Sequence, residues 1–313
     1  MDILVTGCVG FIGSHFTEKM LNEGHNLVGI DNLERDNNVF FKKENLKRLL
    51  EFRNFSFFKN NIMDFEKIND IFSKHHFDKI VHLAAKTGVR QSVANPIDYF
   101  NNNILGTLVL LELCSKYGVT DFVFGSSSSV YGNHGVPFEE NMKCNPISPY
   151  GLTKVTCELY GKNFSELFGI NFVALRFFTV YGPRQRMGMS VSNFVNGIIK
   201  NGKIQVFGDG KSVRDYTYVD DIVEGIRLAL EKKFSFEIFN IGSGDAISLR
   251  NLIELIENET KIQADVKYEQ KQQGDVDFTQ ANINKASTLL GYKPKYDIGK
   301  GVRKYIEWYR EIQ

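Results

Sequence analysis

The sequence predicts an α/β protein built on a doubly wound, mostly parallel β-sheet. Short apolar runs rich in β-branched and aromatic residues alternate with segments of helical spacing along the first half of the chain. The first apolar run leads at once into a glycine-rich turn, and the 313 residues are enough for a large core. Alternation of this kind places helices on both faces of a parallel sheet.

Composition and charge exclude several classes of protein. The formal net charge of +1 provides no field that would attract nucleic acid or a membrane, and the basic run at 42–48 is typical of a solvated helix face. The four cysteines are scattered and the six histidines lack metal-ligand spacing, so we expect no metal, no disulfide framework and a reducing compartment. Without a signal-peptide pattern or a membrane-spanning apolar run, we expect a cytoplasmic protein.

The first strand-helix-strand unit predicts a dinucleotide site. A strand at 3–6 is followed by glycines at Gly7, Gly10 and Gly13, and then by a helix. Glycines at such a turn let a diphosphate approach the amide groups at the helix N-terminus. The next strand, at 27–31, ends in Asp31, which can bind ribose hydroxyls and would repel a 2′-phosphate. The unit therefore favours NAD over NADP as cofactor.

The later strands bring further polar residues to the same place. We predict strands at 55–58, 79–85, 121–124 and 172–178, with helices at 66–73, about 99–117 and 150–168 between them. Ligands bind beyond the carboxyl ends of strands in such a sheet. Gly7, Asp31, Ala85 and Ser127 would all lie at that edge.

The composition of the sequence changes after Phe178, where Gly, Pro, Arg and Met occur close together. We predict a helix ending at Lys200, a strand at 204–207, helices at 219–230 and 249–259, a strand at 238–241, a helix ending near Gly291 and a last amphipathic segment. The boundaries expected are 1–178 with 213–243 for a Rossmann-type NAD-binding domain, and 179–212 with 244–313 for a smaller α/β substrate lobe. The arginine-bearing loops of this part fit either anion binding or ordinary surface charge.

Two short stretches outline a proton-transfer site. Residues 125–132 read Gly-Ser-Ser-Ser-Ser-Val-Tyr-Gly, and a segment of helical spacing begins near Tyr150. Tyr150 and Lys154 would share a helix face, so a phenol and an ammonium would face a row of hydroxyls. Chance spacing and a polar loop would account for either stretch alone. Their convergence with the glycine turn at one sheet edge favours the functional interpretation.

Taken together, these motifs resemble a known superfamily. Gly7-x-x-Gly10-x-x-Gly13, Asp31-Asn32, the His82–Ala85 run, Ser127 to Gly132, Tyr150-x-x-x-Lys154 and the Arg214 to Asp221 motif occur in one order along the chain. The chain resembles the extended short-chain dehydrogenase/reductases, and among them the nucleotide-sugar 4-epimerases. The resemblance implies bound NAD, a UDP-sugar substrate, a carboxy-terminal lobe that holds the UDP, and a homodimer.

The resemblance also implies roles for individual residues. Tyr150 would be the base, Lys154 would lower the pKa of its phenol, and Ser127 would hydrogen-bond the sugar O4. The cofactor would contact Gly7, Gly10, Phe11, Ile12, Gly13, Asp31, Asn32, Asn61, Ile62, Leu83, Ala84, Ala85, Asn103, Tyr150 and Lys154. The substrate would contact Ser128, Ser129, Thr179, Arg186, Phe207, Arg214 and Asp275.

The serines distinguish between reactions. Related dehydratases and decarboxylases have an acidic residue in this loop, where this chain has Ser128 and Ser129. Elimination then lacks a catalyst, so epimerisation is favoured. A non-catalytic NAD-binding regulatory protein of the same fold would be expected to lack Tyr150 or Lys154.

Several positions depart from the family pattern and bear on the substrate. Asn61 replaces a common Asp, Lys86 a frequent Gln, and Gln272 an Arg that binds diphosphate, so Arg184 or Arg186 would have to compensate. The small Thr279 would admit an N-acetyl group, so we expect UDP-N-acetylglucosamine or UDP-glucose as substrate. The alternative is UDP-glucuronate, because segments 176–183 and 274–279 resemble the UDP-glucuronate 4-epimerases.

Overall fold

The computed structural model describes residues 1–34, 39–271 and 276–312. Its first half alternates strands and helices, as the sequence predicts. In chain order these are β1 (Asp2–Thr6), α1 (Phe11–Asn22), β2 (Asn26–Ile30), α2 (Val39–Leu49), β3 (Phe55–Phe58), α3 (Phe65–Lys74), β4 (Lys79–His82), α4 (Val89–Ala94), α5 (Pro96–Tyr99), a π-helical segment (Phe100–Leu105), α6 (Gly106–Tyr117), β5 (Asp121–Ser127), a 3₁₀ turn (Ser128–Val130), α7 (Pro149–Phe168) and β6 (Asn171–Phe177).

The second half has shorter strands between its helices. They are β7 (Thr179–Tyr181), α8 (Ser190–Asn201), β8 (Lys203–Phe207), β9 (Val213–Tyr218), α9 (Val219–Glu231), β10 (Phe236–Ile241), β11 (Ala246–Ser248), α10 (Leu249–Thr260), β12 (Asp265–Glu269), α11 (Asn284–Leu290) and α12 (Ile298–Glu311). No helix in the described ranges is both long enough and apolar enough to span a bilayer.

Seven strands form one parallel sheet in the order β10-β6-β5-β4-β1-β2-β3. The order reverses at β1, which lies between β2 and β4, and a crevice opens at the carboxyl ends of strands at such a point. This is the predicted Rossmann-type α/β fold. The glycine turn after β1 and the serines at the end of β5 lie on the same edge.

Both faces of this sheet are buried, and the strands β5 and β6 show why. Phe122, Phe124 and Phe172 belong to the core that the helices α3, α6 and α7 cover, whereas Val123 and Val173 point into the core beneath α1 and α9. Successive side chains of a strand point to opposite faces, so a strand covered on both faces is apolar throughout. That pattern made the strands recognisable in the sequence.

The strands outside the large sheet form a three-stranded sheet, β11-β9-β7, and a parallel pair, β12-β8. The strand β9, which begins at the predicted boundary of residue 213, pairs with β7 and β11. The chain returns to the large sheet with α9, which packs near α1. The apolar pattern of a strand does not indicate which sheet will pair with it.

Two predicted elements differ from the structure near the site. The strand predicted over 79–85 ends at His82, which is paired with Thr6 and Phe124, and the chain then turns into a loop. The helix predicted over 99–117 contains the π-helical segment Phe100–Leu105. Apolar spacing does not reveal such an insertion, yet it buries both Asn102 and Asn103.

Candidate active site

The glycine turn has the shape that a dinucleotide requires. Gly7 has a φ of 69°, and a Cβ there would lie 2.7 Å from the backbone nitrogen of Ala84. A Cβ on Gly13 would lie 2.0 Å from the carbonyl oxygen of Gly7. The helix α1 starts at Phe11, after Gly10, without a side-chain cap. Its first-turn N–H groups are therefore available to a diphosphate, with Ile12 beside them.

Asp31 lies at the end of β2, in the position expected for a ribose ligand. Its side chain is buried, and Oδ1 accepts hydrogen bonds from the Leu33 N–H at 2.9 Å and from Lys42 Nζ at 3.4 Å. Asn45, on the same helix as Lys42, donates to the carbonyl oxygen of Val9 at 3.0 Å. The basic run at 42–48 is thus not only a solvated face, because α2 braces the glycine turn.

A cavity of about 380 Å³ opens beside these residues. It is lined by Asn32 and Asn61, both predicted cofactor ligands, and by the cluster of Lys86, Glu34 and Asp98. Ile62, next to Asn61, is buried. The cavity has the size and polarity of a nucleotide site. We expect it to take the adenosine half of the cofactor.

Lys86, for which the sequence offers no explanation, bridges the mouth of this cavity. Its Nζ lies 3.0 Å from Glu34 Oε1 and 3.6 Å from Asp98 Oδ2. Hydrogen bonding with Glu34 raises the pKa of Lys86 above its ordinary value. The lysine therefore links the loop after β2 to α5.

Asn103 holds the loop after β4 in place. Its Nδ2 donates to the Lys86 carbonyl oxygen and to Thr153 Oγ1, each at 3.0 Å, and its Oδ1 accepts from the Lys86 N–H at 2.8 Å. Leu83, Ala84 and Ala85 precede this loop and are partly exposed at the sheet edge. Asn103 thus connects the wall of the cofactor site to the helix that carries Tyr150.

The predicted catalytic residues are brought together. Ser127 ends β5 and donates to Ser129 Oγ at 3.1 Å, while its Oγ accepts from the Ser129 N–H at 3.2 Å. Tyr150 lies in the first turn of α7, where Ser148 caps the helix through the Gly151 N–H at 3.1 Å. Burial raises the pKa of the Tyr150 phenol, and its hydrogen bond with Ser127, which opposes that rise, links the two groups. Ser128 stands between the other serines and is partly exposed.

Lys154 is buried beneath this pair. Its Nζ donates to the Gly125 carbonyl oxygen at 2.6 Å and lies 5.9 Å from the ring centre of Tyr150. Burial lowers the pKa of Lys154 to about 8, against the opposing charges of Cys157 and Glu158. A lysine so placed changes charge near neutral pH.

The electrostatics around Tyr150 differ in one respect from the expectation. Burial raises the pKa of its phenol, and the opposing influences are the Ser127 hydrogen bond and the charge of Arg186. Lys154, which is expected to lower that pKa, donates to Gly125 and lies 5.9 Å from the centre of the phenol ring. Arg186, expected only as a substrate contact, is thus a second cation whose charge acts on the phenol.

The two arginines expected to compensate for Gln272, Arg184 and Arg186, differ in their partners. Arg184 forms an ion pair with Glu18 at 2.6 Å and belongs to the contact between α1 and its own loop. Arg186 is half-buried; its Nη2 lies 3.9 Å from Met189 Sδ and would be 3.3 Å from a Cβ at Gly88. Within the described ranges Arg186 has no carboxylate partner. Of the two, only Arg186 faces the catalytic residues.

The remaining predicted substrate contacts come from the part of the chain that follows β6. Phe207 ends β8, and the Arg90 guanidinium lies 4.7 Å above its ring. Arg214 donates to the carbonyl oxygens of Val213 at 2.9 Å and Val276 at 2.5 Å, and Thr179 pairs with Tyr216 in the small sheet. Asp275 and Gln272 lie outside the described residues.

Glu158 and Arg176 were not among the predicted site residues. Their buried ion pair, with Nη2 2.7 Å from Oε2, lies directly behind the serines. The only sequence signal is that Glu158 follows Lys154 by one helical turn.

The glycine turn, Asp31, the Tyr150 and Lys154 pair and the adjacent serines define a class: dinucleotide-dependent α/β enzymes that move a proton and a hydride at a carbinol. Residues 4–305 match the family model described as GDP-mannose 4,6 dehydratase. The chain belongs to this family of extended short-chain dehydrogenase/reductases, and within it to the NAD-dependent nucleotide-sugar 4-epimerases, which are isomerases.

Three comparisons carry this assignment. A UDP-glucuronate 4-epimerase of Thermodesulfobacterium geofontis is 39% identical over 310 residues, which cover 98% of this chain and 96% of that protein. The UDP-glucuronic acid 4-epimerase of Bacillus cereus, solved with UDP-glucuronic acid and NAD, has a TM-score of 0.94 at 35% identity and full coverage of both chains. A Thermotoga maritima UDP-glucose 4-epimerase, solved with UDP-glucose, has a TM-score of 0.93 at 37% identity, covering 100% of this chain and 99% of that one.

Proposed function

We propose that this epimerase inverts C4 of a UDP-hexuronate, interconverting UDP-glucuronate and UDP-galacturonate. The observation that carries the proposal is the half-buried Arg186, whose charge acts on Tyr150 and which has no carboxylate partner in the described ranges. A guanidinium favours a planar anion, which a uronate carries on the carbon next to C4. This reverses the order expected from the sequence, in which hexose and N-acetylhexosamine came first.

The expectation of an N-acetylated sugar rested on Thr279, and its surroundings give that expectation little support. The side chain is 6% exposed, and its hydroxyl is enclosed without a hydrogen-bond partner among the described residues. A residue that admits an acetamido group would be expected to border open space. The similarity to relatives that act on UDP-glucuronate supports the same order.

NAD, when bound, supplies a carbon centre that takes a hydride from C4 and returns it. Tyr150 removes the O4 proton as C4 is oxidised and gives it back after the keto sugar has presented its other face. Ser127 hydrogen-bonds O4 and keeps it beside the phenol. The pKa of the free phenol, near 10, must fall toward 7, which requires about 4 kcal/mol of differential stabilisation. The nearby charges of Arg186 and Lys154 act in that direction.

A uronate adds a second requirement, because a ketone at C4 makes the neighbouring carboxylate prone to leave as carbon dioxide. Ser128 and Ser129 would hold that carboxylate with neutral hydroxyl donors. Neither can transfer a proton to the carbon that carbon dioxide leaves behind. The absence of an acid at these two positions therefore favours return of the hydride over decarboxylation.

A product assay on UDP-glucuronate, UDP-glucose and UDP-N-acetylglucosamine, without added reductant, tests the proposal directly. We expect kcat/KM to be highest for UDP-glucuronate. In Arg186→Gln it should fall about 50-fold more for that substrate than for UDP-glucose, since a charge-assisted hydrogen bond is lost only with the first, whereas the loss of a charge near Tyr150 affects both sugars alike. Arg184→Gln is the matched control. Equal losses on both sugars would mean that Arg186 acts only on Tyr150 or on the shared diphosphate, and the uronate proposal would be wrong.

We further propose a homodimer formed through the outer faces of α5 to α7. Large apolar side chains are exposed there: Ile97 by 72%, Phe100 by 54%, Leu152 by 56% and Leu159 by 62%. Monomers rarely leave a contiguous apolar surface of this kind uncovered. Light scattering should give twice the chain mass for the wild type and one chain mass for Leu159→Glu, with Leu289→Glu on the other lobe as the control. A monomeric wild type would contradict the proposal.

A further inference from the structure

A buried ion pair lies directly behind the catalytic residues and takes no part in the chemistry described so far. Arg176 on β6 donates to Glu158 on α7 through Nη2, at 2.7 Å, and through Nε, at 3.0 Å. Ser126 on β5 also donates to the same carboxylate, at 2.5 Å. All three side chains are buried. The carboxylate thus joins three elements at one point.

The surroundings of Arg176 complete this network. The guanidinium lies 4.8 Å above the ring of Tyr131 and donates to Cys144 Sγ at 3.2 Å and to the Glu140 carbonyl oxygen at 3.4 Å. Burial alone would lower the pKa of Arg176, but the hydrogen bonds and charge of Glu158 raise it above its ordinary value. The Arg176 guanidinium therefore stays charged in the core.

The position of this hydrogen-bond network determines how the helix α7 is placed against the strand β5. Lys154 and Glu158 are one turn apart on α7, and they bond Gly125 and Ser126, which are consecutive on β5. Two such bonds allow only one axial position and one rotation of the helix against the strand. The next residue of β5 is Ser127, and the preceding turn of α7 carries Tyr150. The register set by these two bonds therefore determines how the phenol and the hydroxyl meet.

We propose that Glu158 and Arg176 are positioning residues of the epimerase reaction, which fix the register of α7 on β5 and balance the charge around Lys154. The inference rests on the proposed role of Tyr150, but not on which UDP-sugar is inverted. Neither residue touches the substrate. Their effect is on where Tyr150 stands and on the pH at which Tyr150 and Lys154 titrate.

The charge effect has a defined sign. The groups facing the Lys154 ammonium are Tyr150, Cys157 and Glu158 on α7 and His82 on β4, and the pKa of His82 is lowered by burial to about 3, so it is neutral. Neutralising Glu158 leaves the positive charge of Arg176 unbalanced. That charge disfavours protonated Lys154 and favours the Tyr150 phenolate, so both pKa values fall.

The experiment measures kcat and KM against pH for the wild type and Glu158→Gln, with whichever UDP-sugar the wild type inverts. We expect kcat to fall about 10- to 100-fold with little change in KM, because a displacement of about 1 Å at a reacting group costs on this order. Both limbs of the kcat profile should move to lower pH by about half a unit. Glu158→Gln/Arg176→Met, which removes both charges, should return the limbs toward wild type while kcat stays low.

The controls separate positioning from general stability. Asp121→Asn breaks the bond with Lys79 at 3.0 Å at the other end of β5 and should leave the pH profile and kcat unchanged. Ser126→Ala, which removes one bond without a charge, should lower kcat about fivefold with no shift of the limbs. An unshifted profile in folded Glu158→Gln, or a shift retained in the double variant, would overturn the inference. A wild type that inverts none of the UDP-sugars would instead count against the proposed function.

Discussion

The edge of the large sheet with the proposed catalytic residues and the proposed substrate side with Arg186 and Phe207 differ in how fully their side chains are hydrogen-bonded within the protein. At the edge of the large sheet, Lys154 and Ser127 are buried; Lys154 donates to the Gly125 carbonyl oxygen and Ser127 to the Ser129 hydroxyl. On the proposed substrate side, Arg186 and Phe207 are half-buried, and their contacts include a methionine sulfur and an arginine. The side chains of the first region are fixed by internal hydrogen bonds, whereas the second region offers a charge and a ring that a substrate could contact.

This difference explains why relatives with different sugars share one fold so closely. The UDP-glucuronic acid and UDP-glucose epimerases have TM-scores of 0.94 and 0.93 to this chain. A preorganised proton-transfer site need not change when the sugar does. Side chains that have few internal bonds can change without disturbing the core.

The largest expected effect is at the catalytic edge. Tyr150→Phe removes only the proton-carrying oxygen, so kcat should fall about 10³-fold while NAD stays bound. Product formation from the UDP-sugar measures the first quantity, and cofactor absorbance of the purified protein measures the second. Near-full activity of this variant would remove Tyr150 as the base.

Lys154 should give the next largest effect, and its pH dependence has a definite sign. Burial lowers the pKa of Lys154 to about 8, and the ammonium is the form that stabilises the phenolate. The kcat of the wild type should therefore decline above about pH 8. Lys154→Met should lower kcat about 100-fold and abolish that limb. A limb that persists in the variant would have to belong to another group.

A smaller effect, and one of a different kind, is expected on the substrate side. Phe207→Ala removes a ring that can stack on a base, so KM should rise about tenfold with kcat nearly unchanged. Phe168→Ala, at the far end of α7, should alter neither constant. Steady-state kinetics on one UDP-sugar decides the matter. A fall in kcat as large as the rise in KM would mean that Phe207 also affects the chemical step, and the distinction between a catalytic and a substrate-binding region would be wrong.

The smallest effect is expected at Lys86. Lys86→Gln removes the partly exposed ion pairs of Lys86 with Glu34 and Asp98 at the mouth of the cofactor cavity. The release of NAD should therefore accelerate, but less than about fivefold. The difference should vanish at high salt, because exposed ion pairs are screened. Stopped-flow exchange against a labelled cofactor measures this rate, with Lys74→Gln, in an exposed pair with Asp70, as the control. A salt-independent difference would exclude an ionic cause.

The sequence predicted the fold and the meeting of Gly7, Asp31, Ser127 and Tyr150, because apolar alternation fixes the sheet and the sheet fixes its carboxyl edge. It did not predict that β9 joins the small sheet, since pairing depends on contacts across the whole chain. Nor did it predict the direction in which a long side chain points. Lys154 points at Gly125 and Arg184 is held by Glu18, whereas Arg186 has no carboxylate partner in the described ranges, and no periodic pattern encodes these differences.

The π-helical segment Phe100–Leu105 has a consequence for how this enzyme can change. A π-turn accommodates one more residue than an α-turn, and deleting that residue would rotate the helix before it by about 100° relative to the helix after it. Asn103 faces the interior and bonds the loop after β4, while Ile97 and Phe100 face outward. A deletion could preserve one of these orientations and lose the other. One inserted residue thus couples the orientation of the side chains that face the active site to the orientation of the side chains on the outer apolar face.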